Sequence, residues 1–224
     1  MNDKYLLSKT KGQIVLEMAY ASIFPNKCMF CRKVLEELRE IACGDCEKAA
    51  IFAQNIGDDI YAAYDYDEES VRHVVLRFKY EGKRLLARAM AQGIFRRFDK
   101  EDMTTVDFVT CVPLHVNRLK ERGYNQAALL ATELGRLYGL PAYDGMKRIV
   151  DTAKQFNLNS EERAANVAGA FAVREGFCVA GKDILLVDDV YTTGVTAAEC
   201  VRVLLEAEAK SVKLMVFAAV APYA

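Results

Sequence analysis

Ile184-Leu-Leu-Val-Asp188-Asp189-Val-Tyr-Thr192-Thr193-Gly194-Val-Thr196 decides how this chain is read. The stretch opens with an apolar run, Ile184 to Val187, rich in branched residues. Such a run fits a strand buried on both faces of a parallel sheet. Two carboxylates follow, then a loop of hydroxyl residues around one glycine. Beyond Gly194 the apolar period becomes helical, with Val195, Ala198, Val201 and Val203 to Leu205 on one side. Loop amides and a helix start favour an anion, and threonine hydroxyls add donors. Carboxylates do not bind phosphate themselves, but they accept hydrogen bonds from sugar hydroxyls or help to place a hydrated Mg²⁺. A ligand with a diol at one end and a phosphate at the other satisfies both halves.

This order resembles the phosphoribosyl-pyrophosphate (PRPP) motif of type I phosphoribosyltransferases. The resemblance implies that Asp188 and Asp189 hold the ribose hydroxyls, and that Thr192, Thr193, Gly194 and Thr196 wrap the 5-phosphate. Two readings compete with it. A receiver domain also has a strand ending in Asp-Asp, with a phosphoacceptor Asp and a Lys on later strands. Here no Asp follows Asp189, and only one strand-like run remains, Lys213 to Val220. The other reading is a strand end before an Asp/Thr-capped helix.

The 224 residues allow one substantial domain and a small appendage. With 30 Lys+Arg against 31 Asp+Glu, the net charge of −1 exerts no global pull on nucleic acid, so any such site is a local patch. Ile14 to Phe24 is apolar but contains Glu17, unlike a signal peptide. Ile14, Val15, Met18, Ala19 and Ile23 fit one face of a packing helix, with membrane-surface binding as the alternative. Leu214 to Ala221 is too short to span a bilayer. The expectation is a soluble, cytoplasmic chain with no transmembrane segment.

Four of the seven cysteines form two knuckles, Cys28-Met-Phe-Cys31 and Cys43-Gly-Asp-Cys46. The spacing suits tetrahedral Zn²⁺ held by four thiolates, which leaves no open coordination position and so points to a structural role. A redox dithiol pair and an iron–sulfur cluster are the alternatives. Arg32 to Ala42 favours a short helix between the knuckles, and Gly44 favours a turn toward the metal. Cys111, Cys178 and Cys200 read as buried apolar residues.

A boundary at Asn55 to Asp59 precedes a strand over Ile60 to Tyr66. Ser70 to Arg97 is basic with interleaved aromatics, and an apolar stripe runs through Leu85, Leu86, Ala89, Met90, Ile94 and Phe95. Arg72, Arg77, Lys79, Lys83 and Arg84 are candidate DNA contacts. They read equally as a solvated helix face or part of a pyrophosphate pocket. Val106 to Val112 reads as a strand, followed by a cationic loop and a helix over Ala127 to Tyr138. That loop offers His115, Arg118, Arg122 and Gln126 as pyrophosphate candidates, because ligands collect beyond strand C-termini in open α/β sheets. A plain surface turn is the alternative. Between short strands at Met146 to Val150 and Ala170 to Val173 lies a polar segment. It is a candidate lid with Thr152, Gln155 and Arg163, or a hydrophilic connector.

Taken together, the chain resembles the ComF family over almost its full length. The resemblance rests on Pro25-x-x-Cys28-x-x-Cys31 with the second knuckle, Phe78-Lys79-Tyr80-Glu-Gly82, Pro113-Leu-His115-x-x-Arg118, Arg122-Gly-Tyr124-Asn-Gln126, Thr152-x-x-Gln155, Glu162-Arg163-x-x-Asn166 with Ala170-Phe171, and the central stretch. It implies an α/β type I phosphoribosyltransferase fold, a central parallel sheet flanked by helices, over 57–224. A zinc-ribbon-like domain over 1–56 would precede it. It also implies PRPP with Mg²⁺ as ligand, and a link to DNA uptake in natural competence through single-stranded DNA and a DNA-translocating helicase. An active phosphoribosyltransferase of nucleotide or cofactor salvage, and a zinc-ribbon scaffold without ligand chemistry, are the alternatives. Val150 stands where the family often has a second basic residue, and Tyr124 where Phe is usual. No residue stands out as a general base.

Overall fold

The computed structural model describes residues 5–7, 12, 15, 19, 26–37, 40–53, 57–98, 103–150 and 167–220. In chain order the elements are α1 (Gly44–Ala49), β1 (Ile60–Asp65), α2 (Glu69–Tyr80), α3 (Leu86–Arg97), β2 (Phe108–Cys111), α4 (Val116–Arg122), α5 (Gln126–Tyr138), β3 (Ala142–Tyr143), β4 (Met146–Arg148), β5 (Phe171–Val173), β6 (Asp183–Tyr191), α6 (Val195–Glu206) and β7 (Ser211–Ala219). Five strands make one parallel sheet in the order β1-β7-β6-β2-β3. β4 and β5 form a separate antiparallel pair.

The apolar run Ile184 to Val187 is fully buried in the centre of the sheet, between β7 and β2. That is the environment a continuous branched run requires, since both faces of a central parallel strand are covered. α3 and α5 pack on each other and on the sheet, while α6 packs on β5, β6 and β7. α2 buries Val71, Val74, Val75 and Phe78, one stripe at helical spacing. The basic stretch does not form one helix: the chain turns at Gly82, whose φ of 65° suits glycine, before α3 begins. α3 then buries Ala87, Met90, Ala91, Gly93 and Ile94.

From β6 the chain passes through α6 to β7 on one side. From β2 it passes through α4 and α5 to β3 on the other. The connections leaving β2 and β6 therefore diverge, and open α/β sheets leave a crevice beyond the strand ends at such a point.

Both outer strands are bordered by short antiparallel segments. Leu6 bridges to Tyr143, the Leu7 amide donates to the Ala142 carbonyl, and the Asp144 amide donates to the Tyr5 carbonyl. On the other flank Phe52 bridges to Tyr64, and the Asp65 amide donates to the Ile51 carbonyl.

Around the first knuckle the expected helix between the cysteine pairs is replaced by a hairpin. Lys27 bridges to Val34, the Cys28 amide donates to Lys33, and the Leu35 amide donates to Asn26. Arg32, at φ 68°, takes the left-handed turn that reverses the chain. Helix formation starts instead at Gly44, inside the second knuckle. The knuckles pack on the sheet's own core: Phe30 meets the Tyr64 ring edge-on at 5.6 Å, and Arg77 of α2 donates to the Met29 carbonyl at 2.8 Å. Cys111 and Cys200 are buried as expected, but Cys178 is exposed because it follows β5 in a loop rather than lying in an element. Ile14 to Phe24 lies outside the described residues, apart from Val15 and Ala19, which are exposed. No helix among the described residues is long and apolar enough to cross a membrane.

Candidate functional site

The acidic pair sits where β6 parts from β2, just past Val187, while its pairing with β7 continues to Tyr191. Asp188 still pairs in register with Val216 of β7, so its backbone is fixed by the central ladder. The Asp189 amide donates to Asp188 Oδ1 at 2.8 Å. Burial, and then the Asp189 charge, push the Asp188 carboxyl up to about 7, although Lys79, the Asp189 amide and Arg122 pull it the other way. Asp189 is buried, and Lys79 Nζ from the last turn of α2 lies 3.0 Å from its Oδ1. Burial lowers the Lys79 ammonium, but Asp189 and then Asp188 outweigh it and hold it above the usual lysine value.

Thr192 and Thr193 follow in an exposed loop, and Gly194 adopts φ 74° immediately before α6. The Tyr191 ring lies so close that a β-carbon at Gly194 would collide with it. The dihedral thus favours glycine, and a larger residue would also have to displace the Tyr191 side chain. Thr196 is half-buried in the first turn of α6, a twelve-residue helix whose first amides face the loop. Diol acceptors and anion donors therefore stand on either side of one turn.

The loop beyond β2 forms the neighbouring wall. The Val112 amide donates to Val187 at 2.9 Å, and Asn125 Nδ2 donates to the Val112 carbonyl at 3.1 Å. His115 is buried, and its Nδ1 accepts from the Asn117 amide at the start of α4. Arg118 is half-buried on the same helix. Arg122 Nη1 donates to Gln126 Oε1 at 3.2 Å, and its guanidinium lies 5.2 Å above the Tyr80 ring. Gln126 Nε2 is buried without a hydrogen-bond partner, a donor that the fold leaves unsatisfied beside Arg122. Carboxylates, a helix start and this donor suit a ligand combining a diol with phosphates. Thr152, Gln155 and Arg163 lie outside the described residues.

The structure disperses the candidate DNA contacts. Arg72 donates to the Asp67 carbonyl, and Arg77 reaches the first knuckle. Arg84 donates to the Gly123 carbonyl at 2.8 Å and lies 4.8 Å above the Tyr124 ring. Tyr124 in turn donates to the Phe78 carbonyl, which ties α2 to the start of α5. Lys83 is exposed. Lys79 belongs to the acidic pair, an assignment that sequence reading missed. A lysine beside a buried helix stripe ordinarily extends its head to water, so nothing in the sequence marked this one for a carboxylate.

The Sγ atoms of Cys28, Cys31, Cys43 and Cys46 all lie within 4.8 Å of one another, with Cys31 and Cys43 3.7 Å apart. Tetrahedral zinc thiolates at Zn–S ≈ 2.3 Å would place the sulfurs about 3.8 Å apart, so the set fits such an ion. Burial raises the Cys28 thiol, but the amides of Cys43, Cys31 and Phe30 outweigh it and bring it down to about 7. This set of four cysteines could hold a metal such as zinc.

Residues 88–222 match the phosphoribosyl transferase domain family. The chain is 26% identical over 213 residues to competence protein F of Haemophilus influenzae, covering 82% of this chain and 92% of that one. It is 27% identical over 196 residues to competence protein ComFC of Streptococcus pneumoniae, covering 83% and 84%. Among solved structures, the glutamine PRPP amidotransferase from B. subtilis complexed with ADP and GMP is 23% identical with a TM-score of 0.39. That match covers 61% of this chain and about a quarter (26%) of the other.

Proposed function

The chain belongs to the phosphoribosyl transferase domain family, in its ComF group, and on that premise we propose that the crevice beyond β2 and β6 binds PRPP together with Mg²⁺. One observation carries the reading: the Asp188–Asp189 pair lies in β6 just past its last residue paired with β2, and the strand runs on only to Tyr191 before the Gly194 loop and α6. In this reading Asp188 and Asp189 accept from the ribose hydroxyls. Thr192, Thr193, Gly194 and Thr196 donate to the 5-phosphate, aided by the helix start. His115, Arg118, Arg122 and Gln126 face the pyrophosphate, and Thr152, Gln155 and Arg163 close over it. Mg²⁺ would neutralise pyrophosphate charge. Were transfer to occur, holding that charge in place and excluding water would be the chain's main contribution.

We further propose that residues 1–56 serve as a zinc-bound module with a structural four-cysteine centre, and residues 57–224 as the phosphoribosyltransferase-like unit. The competence relatives support a role in competence. Within that role we place the protein in the cytoplasm, handling single-stranded DNA during uptake beside a translocating helicase. The exposed Tyr80, Lys83, Arg84 and Arg88 are the residues offered for that contact. Neutralising Lys83, Arg84 and Arg88 should weaken such binding and flatten its salt dependence.

Calorimetry with PRPP and Mg²⁺ is the direct test. Micromolar binding by the wild type, lost in Asp188→Asn/Asp189→Asn, supports the reading. No binding, or equal binding by the double variant, overturns it.

A further inference from the structure

Lys79 has no part in that assignment, yet it makes the most intimate charge contact in the crevice. Its Nζ lies 3.0 Å from Asp189 Oδ1, with side-chain exposures of 21% and 8%. Two adjacent carboxylates near the end of a central strand, one of them buried, need a counter-charge. Lys79 supplies it, but from a position on Asp189 that incoming hydroxyls compete for. A ligand bringing its own Mg²⁺ and a strongly anionic group changes the balance on both sides of this contact.

The surroundings restrict any adjustment to the lysine side chain. Arg77, two residues earlier, donates to the Met29 carbonyl. Phe78 is fully buried, and its carbonyl accepts from the Tyr124 hydroxyl. The α2 backbone is therefore held from two directions at the residues just before Lys79. The lysine stem itself has four carbons and free rotors. In PRPP the pyrophosphate leaves C1, and C1 is bonded to C2, whose hydroxyl would rest on the acidic pair. A pyrophosphate on C1 would therefore lie near the ammonium on Asp189.

We infer that Lys79 is a movable counter-ion of this site, which holds Asp189 in the free protein and passes to the pyrophosphate when PRPP binds. The inference rests on the PRPP reading given above. It assigns Lys79 a specificity role: it rewards ligands that carry pyrophosphate and resists those that carry only the ribose phosphate.

The experiment compares PRPP with ribose 5-phosphate, each with Mg²⁺, by calorimetry on the full chain. Lys79→Met should weaken PRPP binding about tenfold or more, while ribose 5-phosphate binds as well as before or more tightly. Lys79→Arg, which keeps the charge, should recover most of the PRPP affinity. An equal loss for both ligands would mark Lys79 as a structural prop, and unchanged PRPP binding would leave it no role; either overturns the inference. Wild-type protein that binds neither ligand overturns the PRPP reading itself. If Lys79→Met alone unfolds, the same comparison is made with Lys79→Gln, which removes the charge but keeps a donor for Asp189. The PRPP-selective loss should persist there, and its absence overturns the inference.

Discussion

The four-cysteine cluster and the strand-end crevice are built by opposite routes. The cluster takes all four thiols from residues 28–46, folded back by one hairpin and one helix start. The crevice takes Lys79 from α2, Arg122 and Gln126 from the α4–α5 region, and the acidic pair from β6. The first is complete as a set of four thiols and depends on local chain geometry. The second exists only when the whole sheet is formed, and it keeps an unsatisfied donor and an intramolecular ion pair where a ligand is proposed to bind. Local sites concentrate their energy in a few bonds, whereas assembled sites spread it over the fold.

The largest test of this contrast is Cys28→Ser/Cys43→Ser. Losing two ligands should abolish stoichiometric zinc by elemental analysis and lower Tm by about 10 °C or more. Residual strand and helix signal in circular dichroism should persist. Next, Asp188→Asn/Asp189→Asn should weaken PRPP by about 100-fold or more in calorimetry, while zinc content stays at wild-type level. A fall in both would show that the sites are not separable.

Gly194→Ala combines a left-handed dihedral with a collision against Tyr191. It should cost about 1–3 kcal/mol in urea unfolding, and it should weaken ribose 5-phosphate along with PRPP, because both ligands carry the 5-phosphate.

The smallest effect is on pH. Asp188 titrates at about 7 in the fold, against about 4 when unfolded. The folded carboxyl keeps a proton that the unfolded one has released. Its contribution to stability is therefore full below about pH 4 and is lost as pH rises through about 7. Ligand binding that needs the carboxylate should rise over the upper part of the same window, by about tenfold between pH 6 and 8. Asp188→Asn should remove that slope.

The same contrast explains what the sequence disclosed. The cysteine spacing identified all four thiols, because a local site is encoded by adjacency. The run Ile184 to Thr196 gave strand, acidic pair, loop and helix in order, since each has its own period or turn chemistry. What escaped was any partner supplied from elsewhere. Lys79 looked like one cation in a basic stretch, and only the packing of α2 near the end of β6 pairs it with Asp189. Arg77 and Arg84 likewise look like surface charge until the fold gives them carbonyl partners. The helix expected between the knuckles failed for a related reason: the hairpin that brings Cys28 and Cys31 together overrides the helical propensity of the residues after them.

The bordering of the outer strands has a consequence for how copies of this chain meet. A parallel sheet left open at its flanks offers rows of unpaired amides and carbonyls on which a second molecule can add a strand, the first step toward fibrous aggregates. Here residues 5–7 and 51–53 occupy those positions on β3 and β1. Each covers part of a surface that would otherwise template a further strand. On each flank, then, the backbone groups of β3 and β1 that a second molecule would seek are met in part by this chain's own segment.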